Sequence, residues 1–276
     1  MKNLKFITTL FITILFLTAC SKDNDENVTI TGDYFPSTQN SYWNYGVKST
    51  EGNTTTTSQD FLTVKSGTAT SFVLEVNSSN DANGAMSALL TNGTLKKTTS
   101  TLALNGELEI PIDGLNDFNI NFTNAMLYDL NADRNSVLSN FTNTFTKDLQ
   151  GSQVTIPLTI SYDLSFKKLQ NQSSLKVNNV TYNKVTSGNI SLNLSISTTI
   201  QVQGVDTSFS LLEAQDVLSI NSYYGENVGL LKSDATLKLN LNATTVELLK
   251  ALGITIDIPS SQSATNMQEL TSYVIK

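Results

Sequence analysis

The sequence predicts a mainly β fold: a long-stranded antiparallel sheet carrying one or two short helices. Three observations point there. Apolar residues recur at every second position over long stretches, turn signals containing glycine separate those stretches, and helical periodicity is confined to short pieces.

In chain order, the first element is not part of the sheet. Lys2 and Lys5 precede an apolar run over residues 6–17 that only threonines interrupt. About twelve residues cannot cross a hydrocarbon layer of about 30 Å as a helix, which takes about 20, so the run reads as the core of a secretory signal. Leu17-Thr18-Ala19-Cys20 follows at once and resembles the lipobox of bacterial lipoproteins. That resemblance implies cleavage after residue 19 and acylation of Cys20, the only cysteine in the chain. Ser21-Lys22-Asp23-Asn24-Asp25-Glu26 comes next, and a short acidic run in this place is similar to the surface-export signal of lipoproteins in some Gram-negative bacteria. A solvated tether explains the same residues without a receptor. Residues 1–19 are therefore expected to be a signal peptide, 20–30 a flexible acidic tether, and 31–276 a single β-rich domain, because no Pro-, Gly- or Ser-rich linker divides the remainder.

Residues 85–90 form a short helix candidate. Alternating pairs and triplets then mark strands at Leu102/Leu104, Leu108/Ile110/Ile112 and Phe118/Ile120/Phe122. Asn105-Gly106 between the first two reads as a tight turn, since a type I′ turn needs positive φ at both central residues. Residues 136–142 suit a helix or a loop. The clearest strand is Val154, Ile156, Leu158, Ile160, Tyr162, Leu164 and Phe166, followed by Ile190, Leu192, Leu194, Ile196, Ile200 and Val202. Such strands, about ten residues or more, exceed the usual five or six. Ser187-Gly188-Asn189, Asn92-Gly93 and Gly204 are further turn candidates. After Leu237/Leu239/Leu241, residues 244–253 give the best helix, opened by threonines and closed by Gly253. Neighbouring strands joined by tight turns predict an antiparallel meander.

Composition limits the chemistry. The chain has no histidine, which excludes imidazole acid–base catalysis, Ser-His-Asp triads and HExxH zinc sites. Thr, Ser and Asn supply 98 residues against 41 charged ones, so the wet faces of the strands are polar by hydroxyl and amide. Loss of Lys2 and Lys5 leaves 15 bases against 24 acids, a sign that disfavours nucleic acid and anionic lipid as partners. Arg134 is the only arginine, so no cluster of guanidiniums can clamp a phosphate.

Two carboxylate motifs compare poorly with known chemistry. Asp129-Leu130-Asn131-Ala132-Asp133 has the alternation of a calcium loop, but Arg134 replaces the glycine and Asn140 the final glutamate that an EF-hand needs. Asx-turns account for the same residues. Glycoside hydrolysis needs two carboxyls about 5–10 Å apart; a pair could be drawn from Glu75, Glu107, Glu109, Asp113, Asp117, Asp129 and Asp133, acids that near turns are ordinary solvated groups. No metal, cofactor or catalytic residue is expected.

Aromatic residues cluster in two places, Tyr34-Phe35-Pro36 with Tyr42-Trp43-Asn44-Tyr45, and Tyr223-Tyr224 far along the chain. Tyr34, Phe35, Trp43, Tyr45, Tyr223 and Tyr224 either seal one end of the sheet core or wall a ligand groove. The Y-F-P and W-x-Y opening, Val177-Asn178-Asn179-Val180-Thr181-Tyr182-Asn183-Lys184-Val185 and Asn227-Val228-Gly229-Leu230-Leu231-Lys232 together resemble a group of bacterial envelope lipoproteins, the DUF3108-like or TapB-like group. Asn40 stands where that group has glycine, and residues 242–268 look like an addition. The resemblance implies a sheet curved as a half-barrel or open barrel, similar to lipoprotein carriers of acyl chains, and no activity.

Three functions follow as expectations. The first is a non-enzymatic lipoprotein anchored in the outer membrane through acylated Cys20 and exposed at the cell surface, with an apolar small molecule or lipid in the concave face of the sheet. The second is a structural or adhesive surface protein that binds glycan or protein through its Thr/Ser/Asn face. The third is a carboxylate-dependent hydrolase.

Overall fold

The computed structural model describes residues 31–276 apart from 78–80, 110, 111, 113, 116, 117, 151–154, 203, 255 and 257. Its elements in chain order are β1 (Tyr42–Glu51), β2 (Thr54–Gly67), β3 (Ser71–Val76), α1 (Ala85–Thr91), β4 (Gly93–Lys97), β5 (Thr101–Glu109), β6 (Asn119–Asp129), β7 (Val137–Gln150), β8 (Thr155–Lys168), β9 (Gln172–Val177), β10 (Val180–Val202), β11 (Val205–Gly225), β12 (Gly229–Asn240), α2 (Ala243–Ala251) and β13 (Ser261–Val274). Every described strand belongs to one antiparallel sheet, in the order β6-β5-β4-β3-β2-β1-β13-β12-β11-β10-β8-β7, with β9 paired to the outer stretch of β10. The row curls until its end strands β6 and β7 face one another, so the sheet is nearly closed into a barrel.

Period two explains the curl. Along β12, Leu231, Ser233, Ala235, Leu237 and Leu239 are buried while Lys232, Asp234, Thr236 and Lys238 face outward. The same alternation runs through β1, β8 and β10, so one face of the sheet must leave water. Rolling the sheet up buries that face against itself. Each large aliphatic side chain so buried contributes about 1.5–3 kcal/mol.

The remaining gap lies between β6 and β7, which follow one another in the chain yet share no strand ladder. Side chains bridge it. The amide of Met126 donates to Ser139 Oγ at 3.0 Å, and Ser139 Oγ reaches the carbonyl of Asn124 at 3.3 Å. Phe118 stacks on Phe145 with ring centres 4.0 Å apart, and Phe122 meets Phe141 and Phe166.

One end of the barrel is sealed by the incoming chain. Asp33 pairs with Lys97 at 2.7 Å, its carbonyl accepts from the amide of Asn227, and Tyr34 and Phe35 fall into the core. The turn between β9 and β10 folds over the same end, where Asn178 Nδ2 donates to the carbonyl of Leu270. At the opposite end α2 packs beside β11, capped by Asn242, whose side chain accepts from the amide of Thr245.

Several local expectations change. Asn105-Gly106 is not a turn but lies within β5, where Asn105 pairs with Thr94 of β4 and stands opposite a bulge at residues 123 and 124 of β6, Asn124 having φ +59°. Gly106 faces Gly93 across β4 and β5, and neither has room for a Cβ. Ser187-Gly188-Asn189 lies inside β10, where the carbonyl of Leu127 on β6 presses against Gly188 and a Cβ would overlap it. Residues 136–142 enter strand β7 rather than a helix, because pairing with β8 from Val137 onward satisfies their backbone. Gly204 does turn between β10 and β11, with φ +82°. Helices form at Ala85–Thr91 and Ala243–Ala251, close to where periodicity placed them, and neither is long and apolar enough to cross a membrane. Residues 1–30, with the signal, Cys20 and the acidic run Ser21, Lys22, Asp23, Asp25 and Glu26, lie outside the described residues.

Candidate functional site

Helix α1 enters the barrel between β3 and β4 and crosses its interior, touching β11, β12 and β13 on the far wall. A helix start leaves several backbone N–H groups without intrahelical partners, and Gly84 at the cap has no side chain to satisfy them. The barrel wall does so instead. Asp60 of β2 accepts from the amides of Asn83 at 2.9 Å and Gly84 at 2.8 Å. Asn266 and Gln268 of β13 accept from Ala85 at 2.9 Å and Ser87 at 3.3 Å. Gln268 also donates to Ser87 Oγ, and the side chains of Asn77 and Asn83 complete the shell of Asp60. Burial alone would raise the Asp60 pKa, but the hydrogen bonds from Asn83, Gly84 and Asn77 outweigh it and hold the carboxyl below its ordinary value.

Met86 and Leu90 of α1 are buried in the same core that fills the sealed end. There Phe35 lies against Trp43, Phe72 and Tyr224, and Tyr128 bridges Tyr34 and Tyr224. Trp43 Nε1 donates to the carbonyl of Val228 at 2.5 Å, and the Tyr45 hydroxyl donates to the carbonyl of Leu230 at 3.0 Å. Five of the six singled-out aromatics, Tyr34, Phe35, Trp43, Tyr45 and Tyr224, are thus brought together as buried packing. Tyr223 points outward from the same strand, as its odd position demands.

The other face of α1 carries Ala85, Ala88, Leu89 and Asn92, one helical stripe of mostly short side chains. Short residues leave space. A cleft of about 300 Å³ opens between this stripe, Leu108 of β5 and Leu218 and Ile220 of β11, with Glu107 and Glu109 among its lining. A second, of about 270 Å³, lies across the helix beside Ala235, Leu237 and Ala264, with Glu51 and Asn266 among its lining. Both share Ala85, Ala88 and Leu218, and both lie towards the end opposite the aromatic packing. The first stands at the lower bound of ligand sites, about 300–1,000 Å³, and the second falls just below it.

Of the other acids, Glu75 pairs with Lys65 at 3.2 Å, and Asp129 Oδ1 accepts from the amide of Asn131 in an Asx-turn. Asp113 and Asp117 lie outside the described residues. No group of three or more His, Cys, Asp or Glu poised for a metal occurs among the described residues. Lys168 is a buried amine that bonds Thr186 Oγ1, which in turn donates to Asn171. Burial pushes its pKa down to about 8, against the opposing field of Asp129.

Protein-family models, curated proteins and solved structures return no match to the chain. The site therefore stands on its own geometry. Asp60, Gln268, Ala85, Ala88 and Leu218 were not singled out from sequence. One signal was present for Asp60: it shares the parity of Leu62 and Val64, which puts a carboxylate on the buried face of a strand.

Proposed function

We propose that the chain is a non-enzymatic, surface-exposed lipoprotein, held in the outer membrane by acylated Cys20, and that its barrel takes up an apolar small molecule or lipid. The two apolar clefts flanking α1 on the inner face of the sheet carry this reading. The aromatic packing fills the end next to residue 31, so a tether from Cys20 would hold the closed end towards the membrane and leave the clefts facing away. The short motifs shared with envelope lipoproteins support the anchored setting.

The test uses residues 21–276, which retain every described strand and helix. Organic extraction and mass spectrometry should recover an apolar compound in near-stoichiometric amount, and an environment-sensitive alkyl probe should bind the emptied protein. Ala88→Trp, which puts a bulky ring at the point both clefts share, should abolish probe binding while leaving thermal unfolding cooperative. Failure of the probe to bind the unaltered protein would sink the reading. Location is tested separately: Cys20→Ser should release the chain from the membrane fraction, and deletion of residues 21–26 should remove antibody labelling of intact cells.

A glycan- or protein-binding surface is favoured by a different observation. Ser165, Ser191, Ser219, Thr236, Thr265, Thr50 and Thr55 stand in register across seven neighbouring strands of the outer wall. Binding of a polysaccharide that is lost in Ser219→Val and Thr236→Val would favour this second reading.

A further inference from the structure

The outer wall carries a cleft of its own. It opens over β7, β8, β10 and β11, encloses about 310 Å³, and has as its floor the Ser165–Ser191 end of the hydroxyl row described above. The two hydroxyls bond each other at 2.9 Å, and because serine is short the longer side chains around them stand up as a rim. Asp163 and Asp216 form one end of that rim and Lys167 the other, four residues from Asp163 along β8. All of them point away from the core. Asp163, Ser165 and Lys167 alternate with buried Leu164 and Phe166, and Ser191 and Asn193 with buried Leu192 and Leu194. Asp216 shares the parity of inward-facing Leu218 and Ile220, and a bulge at Val217 turns it outward to pair with Asn193.

Both carboxylates are oriented without being used up. Asn193 Nδ2 donates to Asp216 Oδ1 at 2.9 Å, and the amide of Asn140, turned to give its nitrogen an acceptor, donates to Asp163 Oδ1 at 2.6 Å. The second oxygen of each has no partner among the described residues, and no described carboxylate pairs with Lys167. Free acceptors and an ammonium donor around a hydroxyl floor suit a ligand whose groups both donate and accept, as sugar hydroxyls do. Size narrows the class. Four residues along β8 and three strand spacings across it make a footprint of roughly 13 by 14 Å, or about 180 Å², whereas each partner of a stable protein complex covers about 800 Å². Two carboxylates against one amine also repel an acidic sugar. We propose that this cleft binds the end of a neutral glycan, with sugar hydroxyls donating to Asp163 and Asp216 and accepting from Lys167. The inference rests on the second reading above, chooses glycan over protein, and adds the site and the class of sugar.

The test titrates neutral trisaccharides of glucose, galactose and mannose, and the trimer of galacturonate, into residues 21–276 while backbone amide shifts are followed by NMR. At least one neutral trimer should bind, with its largest shifts around Asp163, Ser191 and Asn193, and at low salt about tenfold or more tighter than the galacturonate trimer. Asp163→Ala combined with Asp216→Ala should weaken that trimer about tenfold or more, by loss of two charge-assisted hydrogen bonds, and should leave the thermal midpoint in place, since both side chains are exposed. Binding that survives the double substitution, or equal or tighter binding of galacturonate, would overturn the assignment and leave glycan binding elsewhere on the wall standing. If no trimer binds but a polysaccharide does, the cleft falls and the second reading stands; if neither binds, both fall.

Discussion

Removing the carboxylate of Asp60 should unfasten α1 from the barrel wall. Asp60 is 1 % exposed and takes four hydrogen bonds, two of them from the backbone amides of Asn83 and Gly84. Side-chain donors have alternatives: Asn77 also reaches the carbonyl of Asp81, and Asn83 that of Gln59. The two backbone amides have no second acceptor among the described residues. Asn83 is exposed and its amide can turn to water, whereas leaving the buried amide of Gly84 unpaired costs about 1–3 kcal/mol, so Asp60→Ala should lose about 1–3 kcal/mol, a substantial part of the roughly 5–15 kcal/mol that holds a domain together. Urea denaturation of residues 21–276, followed by the fluorescence of Trp43, the only tryptophan, measures the loss. The pH dependence supplies a second readout. The folded carboxyl lies below its unfolded value of about 3.9, so its stabilisation is complete above about pH 5 and disappears as pH falls through the folded value. Asp60→Ala should therefore flatten the acid limb of the stability curve. A loss within about 0.5 kcal/mol, the range of an ordinary surface substitution, together with an unchanged acid limb, would refute the idea that this side chain holds the helix.

Two further outcomes are expected. Gly188→Ala, which drives a methyl group into the carbonyl of Leu127, should cost about 1–3 kcal/mol by the usual scale of overpacking, whereas Gly46→Ala, with nothing nearer than Thr271 Cγ2 at 3.6 Å, should be close to neutral; equal midpoints in urea would contradict this reading. Lys168, with a folded pKa of about 8 against an unfolded value of about 10.4, leaves the unfolded chain binding more protons above pH 8. Stability should therefore rise between pH 8 and about 9.5, below the ionisation of unfolded tyrosines near about 10, and Lys168→Met should abolish that rise; parallel profiles for the two proteins would exclude the assignment.

Sheet and helices were legible to different depths. Period two identified the long strands because one wet face and one dry face is a local property of each strand. The resemblance supplied curvature, and the nearly closed barrel agrees with it. Glycine was misread where its role is long-range: Gly106 and Gly188 look like turns in sequence, yet they make room for Asn92 at the end of α1 and for Leu127 on β6. Residues 136–142 misled because a register shift between Val137 and Ser139 breaks the alternation. The clefts had no sequence signature at all. They exist because Ala85 and Ala88, Leu108, Leu218 and Leu237 are carried together by four different elements, and small residues on a helix announce a cavity only when the opposite wall is known.

The pairing of β1 with β13 divides the molecule in a way that the closed outline conceals. Residues 42–129 form one meander and residues 137–274 another, each built from pairings between neighbours in sequence except that β8 passes over β9 to pair with β10, and the two are stitched by that one ladder between Tyr42–Glu51 and Ser261–Val274. Cutting the loop at residues 130–136 would sever no ladder. Helix α1 belongs to the first half, yet its start is gripped by Asp60 from one half and by Asn266 and Gln268 from the other. It acts as a tenon between the two leaves. Joining segments distant in sequence costs more loop-closure entropy than pairing neighbours does, so the ladder between β1 and β13 carries the largest closure cost in the sheet. The clefts lie along that joint, bounded by Leu108 from the first leaf and Leu218 from the second. This internal space comes into being only when the two halves meet.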